Sequence, residues 1–174
     1  MQWPPGLNAK PESPATDAEI AAFVESVFAP LTAQELEELH AEHRAIVGEG
    51  SFDPPFNPAI WPLPNRRLPE SYLAFLQYSN GGSFSGDNRD FDPLFTTNQV
   101  RQYMLFYSIP HWMPLSAPIG FDGGGTFYLL DMRDDPIDGD YPVLFANACN
   151  LGYDEAVKLA DSFSELIANK LGQP

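Results

Sequence analysis

The stretch Leu68-Pro69-Glu70-Ser71-Tyr72-Leu73-Ala74-Phe75-Leu76-Gln77-Tyr78-Ser79-Asn80-Gly81-Gly82 carries the signals for both ends of a helix. Pro69 stands where a first helical residue needs no N–H, and its fixed φ pre-sets the turn. Tyr72, Leu73, Phe75 and Leu76 form an apolar stripe at helical spacing. Asn80 and Gly81 accept the left-handed conformation that stops a helix. A short helix with one apolar face is stable only against another layer, so the stripe is expected to build a core.

Capping signals organise the two ends of the chain. Thr16-x-x-Glu19 and Thr32-x-x-Glu35 read as capping boxes, in which side chain and backbone satisfy each other's free groups at a helix start. Ile20, Phe23, Val24, Val27 and Phe28 follow the first at amphipathic spacing, and Pro30 ends that helix. Leu36, Leu39, His43 and Ile46 or Val47 carry the second to Gly48, with Leu31 and Leu36 placed as a hydrophobic staple. Ser162-x-x-Glu165 opens a closing helix with Phe163, Leu166, Ile167 and Leu171 on one face. Residues 1–15, rich in proline and polar groups, are expected to be a mobile lead-in. Residues 16–174 are expected to be one domain that starts with a helical pair at 16–48.

Between these ends the pattern turns to strands. Six prolines between residues 50 and 69 exclude a helix or a central strand there. Phe52, Phe56, Ile60, Trp61 and Leu63 make the segment too apolar for a free linker. It reads as an extended segment laid across the core, with a partner-binding strip as the other reading. One or two strands are expected between Gly82 and Phe95, and a helix over Asn98 to Phe106. Ala117–Phe121 and Thr126–Asp131 flank Asp122-Gly123-Gly124-Gly125, and Asp-Gly between apolar runs is a hairpin signal. Tyr141–Ala146 and Glu155–Ala160 complete the set. The fold class is α+β, an antiparallel sheet packed against N-terminal, central and C-terminal helices.

Three of these motifs in this order resemble the SUKH superfamily, which includes yeast cell-wall-synthesis regulators and many bacterial toxin-immunity proteins. The first is LPxxYxxFL with NGG, carried by Leu68, Pro69, Tyr72, Asn80, Gly81 and Gly82. The second is the hairpin around Gly123 and Gly124, and the third runs from Ala160 through Phe163 to Leu166. The resemblance covers roughly residues 66–172, and residues 1–65 exceed the family's short lead-in. It implies an α+β domain without known catalytic residues, whose bacterial members are often immunity proteins. A regulatory adaptor for housekeeping proteins and an unrecognised hydrolase are the alternatives.

The chemistry-bearing residues point the same way. Asp122-Gly123-Gly124-Gly125 lacks the Lys-Ser or Lys-Thr of a phosphate loop. His40, His43 and Glu37 miss the spacing of a zinc-protease or di-iron helix, and no metal or cofactor is expected. His111 has no evident nucleophile, Ser85 stands where a nucleophile elbow needs glycine, and Cys149 has no local base. No catalytic residue is expected.

The net charge of −15 disfavours nucleic acid, since binding a phosphate backbone needs basic neutralisation. It favours a basic protein partner, for instance a basic toxin, through long-range steering. Solubility alone is the plain alternative. Two acidic loops are candidate partner-binding surfaces, the first with Asp87, Asp90 and Asp92 and the second with Asp134, Asp135, Asp138 and Asp140. Either is otherwise a solvated loop. No apolar run approaches a membrane span, and Met1–Pro5 lack the character of a signal peptide. The single cysteine fits a reducing compartment, so a cytoplasmic location is expected. Oligomeric state is left open.

Overall fold

The two front capping boxes form as their residues dictate. In the computed structural model, which describes residues 8–47, 56–85 and 90–168, α1 spans Asp17–Ser26 and α2 spans Ala33–Val47. The backbone N–H of Thr16 donates to Glu19 (2.7 Å), and that of Glu19 donates back to the Thr16 hydroxyl (3.2 Å). Thr32 and Glu35 repeat the exchange at 2.8 and 3.2 Å. The box at Ser162 is only half made. Glu165 donates to the Ser162 hydroxyl, but its carboxylate reaches one residue further back, to the N–H of Asp161.

The central helix, α3, spans Glu70–Tyr78. Pro69 is its N-cap, in extended conformation, and not its first helical residue. Tyr72, Phe75 and Leu76 are fully buried, and Leu73 is half-buried. Burial pushes the Tyr72 phenol far above its usual range. The helix also ends differently from its sequence expectation. Ser79 leaves it in extended conformation, and the left-handed residues are Gly81 and Gly82, not Asn80. Asn80 instead acts on a second helix, because its Oδ1 accepts the backbone N–H of Thr97 at 2.8 Å. It thereby caps α4, which spans Thr97–Phe106. At Gly81 (φ +87°) and Gly82 (φ +117°) a Cβ would stand 2.8 Å from the Leu94 carbonyl oxygen and 2.6 Å from that of Lys10. The two glycines therefore allow other backbone to close in on the turn.

The sheet has seven antiparallel strands in sequence order. They are β1 (Asn8–Pro11), β2 (Gly82–Ser85), β3 (Asp90–Leu94), β4 (Ser116–Phe121), β5 (Thr126–Asp131), β6 (Val143–Asn147) and β7 (Val157–Ala160). Strand β1 corrects the expected mobile lead-in, because Asn8–Pro11 pairs along β2. The link is reinforced where Asn80 donates to the Ser13 carbonyl and Ala15 to that of Leu76. Pro11 is tolerated because an edge strand has one unpaired side. Residues 1–7 and 48–55, including Phe52, and Leu171 lie outside the described residues. Within the proline-rich segment, Pro58–Ile60 form a 3-10 turn and Trp61, Pro64 and Leu68 are buried, as an ordered strip on the core requires.

Two short helices, α5 (Ile109–Trp112) and α6 (Phe163–Ala168), complete the described elements. Phe163 meets Tyr72 (5.2 Å between ring centres) and Phe75 (5.5 Å), and Phe75 meets Phe84 (5.5 Å). The first and third motifs of the sequence thus converge on one aromatic cluster. Every residue of β4 and β5 except their last is buried, so both faces of the sheet's centre are covered.

The front helices are attached by a polar clasp. The Arg101 guanidinium, on α4, grips the Glu35 carboxylate at 2.6 and 2.9 Å. It also donates to the carbonyls of Ser26, Val27 and Ala29 at 3.0–3.1 Å. Those carbonyls sit at the end of α1, where helical partners run out and a cation is favoured. One side chain therefore caps α1, holds the start of α2 and anchors both on α4.

Candidate functional site

The turn between β5 and β6 combines local turn chemistry with longer-range contacts that dock it on the fold. Ile137 and Asp140 exchange both backbone hydrogen bonds at 3.0 Å, around Asp138 (φ 52°) and Gly139 (φ 81°). Positive φ at both central residues is the two-residue hairpin turn that Asp-Gly favours. The Asp138-Gly139 pair is the same dipeptide signal as Asp122-Gly123, although no apolar strand flanks it closely on either side. The turn holds Ile137 outward, 71% exposed.

The four carboxylates expected here have different environments. Asp134 and Asp138 are exposed to solvent. Asp135 is exposed but paired with Arg66, which also reaches the Arg133 carbonyl. Asp140 is a correction to the candidate surface, because it is only 8% exposed. It accepts from the Ser71 hydroxyl (2.6 Å), its neighbour Tyr141 N–H (2.9 Å) and Phe163 N–H (3.3 Å). Asp140 ties the loop to the start of α3 and caps α6, so its work is structural.

Three residues outside the four expected carboxylates stiffen the loop: Asp131, Arg133 and Tyr153. Asp131 grips Arg133 through two hydrogen bonds, at 2.9 and 2.7 Å. The hydrogen bonds to Asp131 push the Arg133 pKa above its ordinary value. The guanidinium carbon lies 3.5 Å from the centre of the Tyr153 ring, a cation–π contact. Tyr153 is itself held, since its hydroxyl lies 2.8 Å from Ser116 Oγ and donates to the Pro114 carbonyl at 2.6 Å. Arginine two residues after Asp131 is the signal in the sequence, but Tyr153 is distant along the chain.

The first candidate loop is described only in part. Asp87 lies outside the described residues, and Asp90 and Asp92 are placed only as backbone positions of β3. The acidic β5–β6 loop and the Asn80-Gly81-Gly82 turn meet opposite ends of α3. The loop docks at Ser71, in the first turn of α3, whereas the glycines follow the last turn about 13 Å away.

The remaining chemical candidates are accounted for by their contacts. Asp122 Oδ1 accepts the N–H groups of Gly124 (2.8 Å) and Thr126 (2.9 Å), occupying the donors a phosphate would need. His40 and His43 lie against Phe56, with ring centres 5.7 and 4.0 Å away. His111 is exposed and packs edge-on to Trp112 at 4.4 Å. Cys149 is exposed, and its N–H donates to Asn147 Oδ1. Among the described residues no three His, Cys, Asp or Glu side chains are grouped to hold a metal ion. Among them, too, no helix is long and apolar enough to cross a membrane.

No curated protein matches the chain. The model of the SMI1 / KNR4 family (SUKH-1) matches residues 63–169, more than half of the sequence. That span contains α3 to α6, β2 to β7, Arg66 and the whole β5–β6 loop, and leaves β1, α1 and α2 outside. With its antiparallel sheet, its helices and this matched segment, the chain belongs to the SMI1 / KNR4 family (SUKH-1).

Proposed function

We propose that this chain is a non-enzymatic protein-binding domain, and specifically an immunity protein that neutralises a cognate bacterial toxin by covering its active surface. Family membership supports a protein-binding role. The observation that carries the site is Ile137, 71% exposed on a tight turn between the solvent-facing carboxylates Asp134 and Asp138. An apolar tip flanked by carboxylates suits a basic partner: the charges steer the encounter and the buried side chain slows release. The Arg66–Asp135 pair and the Asp140 anchor hold this tip in place before binding, which lowers the entropy lost on association. The acidic balance of −15 adds to the steering and disfavours nucleic acid. The single Cys149 is compatible with a cytoplasmic site of action.

The test is co-expression with the protein encoded beside this chain, scored for relief of any toxicity, followed by binding kinetics. Replacing Asp134 and Asp138 by Asn is expected to slow association about tenfold at low salt, with little change in dissociation. Ile137→Ser is expected to act chiefly on dissociation. An association rate indifferent to both the Asn changes and added salt removes the steering role. A pull-down that returns several housekeeping proteins and no toxin replaces immunity with the adaptor reading.

A further inference from the structure

Between α2 and α4 runs a groove of about 410 Å³ whose two walls differ in chemistry. Glu35, Glu38 and Glu42 line it from α2, at a spacing that places all three on one helical face. Arg101 neutralises Glu35, but it does not reach the other two. Glu38 accepts from the neutral amide of Gln34 at 2.8 Å. Neither Glu38 nor Glu42 forms an ion pair with a lysine or arginine among the described residues. The opposite wall carries Phe106, a phenyl ring 60% exposed to solvent beside the buried Leu105. The ring gives the groove an apolar wall opposite the carboxylates.

We propose that this groove seats an arginine-bearing basic segment of the protein partner, as a second contact separate from the β5–β6 loop. The guanidinium meets Glu38 and Glu42 through charge-assisted hydrogen bonds, while its plane and aliphatic stem lie against Phe106. The inference rests on the reading of the chain as a protein-binding domain. It adds that the front helices, outside the family match, form half of a binding surface. The Arg101 clasp gives that half a fixed position against α4.

The probe is a capped hexapeptide of alternating arginine and leucine, titrated into the full chain and followed by backbone amide NMR. A citrulline version of the same peptide controls for charge. Shifts are expected to cluster at Glu38, Glu42, Leu105 and Phe106. E38Q/E42Q is expected to weaken binding about tenfold and Phe106→Ala several-fold, with the fold unchanged by circular dichroism. The loop variant D134N/D138N is expected to leave peptide affinity unchanged. Shifts confined to residues 134–138 overturn the groove and leave the loop proposal standing. Equal affinity for the citrulline peptide, or unchanged affinity in E38Q/E42Q, also overturns the groove.

Discussion

The front helices and the family-matched core are held by different physics. In the core, Tyr72, Phe75, Phe84 and Phe163 meet ring to ring with almost no solvent contact. The front pair buries Phe23, Val27 and Leu39, and is then fastened by one guanidinium to a carboxylate and three helix-end carbonyls. Apolar burial carries no charge and does not titrate. A partly exposed ion pair responds to both pH and salt. The core therefore sets whether the chain folds, and the clasp sets whether the front half of the α2–α4 groove is in place.

Phe75→Ala is the strongest test of this contrast. Removing a fully buried ring from the aromatic cluster is expected to cost about 3–5 kcal/mol in urea unfolding. Amide protection should fall in the sheet and the front helices together. If α1 and α2 kept theirs, the front helices would be independent of the core and the comparison would fail.

Arg101→Ala should produce a smaller and more local effect. It leaves Glu35 without its cation and the end of α1 without donors, at a cost of about 2 kcal/mol. Hydrogen exchange should rise first in α1 and α2, with β4 and β5 still protected. Arg101→Lys is expected to recover only part of the loss, because a point charge cannot serve a carboxylate and three carbonyls together. Equal loss of protection in the sheet would make the clasp part of the core.

The smallest expected effect is that of acid on the clasp. The Arg101 guanidinium, helped by the Thr32 backbone N–H and hydroxyl, holds the Glu35 carboxyl at about 2, below its ordinary 4.5. A depressed native pKa stabilises the fold fully above the ordinary value, and the contribution is lost as pH falls through about 2. Allowing for solvent screening, it amounts to about 1 kcal/mol. The stability gap between the native chain and Glu35→Gln should therefore shrink over this interval. A gap that stays constant would mean that Glu35 acts by packing and not by charge.

Elements set by neighbours in sequence were legible. The Thr16 and Thr32 boxes and the Asp122-Gly123 hairpin each involve groups a few residues apart, so their chemistry is complete within the segment. Strand β1 was not, because Asn8–Pro11 has no apolar alternation and gains its order only from the free edge of β2. The acidic loop was legible as charge, but not as a division of labour. Asp138 and Asp140 stand two residues apart, yet one faces water and the other is buried against Ser71, 69 positions away.

The sequence by itself determined the α+β class, the family and the starts of the front helices, because capping constraints act over one turn of chain. Tertiary structure alone decided which carboxylates stay in water and which are drawn into the fold. It also joined α2 to α4 through Arg101 and gave Asn80 a helix other than its own to cap. Those outcomes depend on side chains meeting across many residues of chain, where burial and hydrogen-bond geometry choose among partners that composition leaves equivalent.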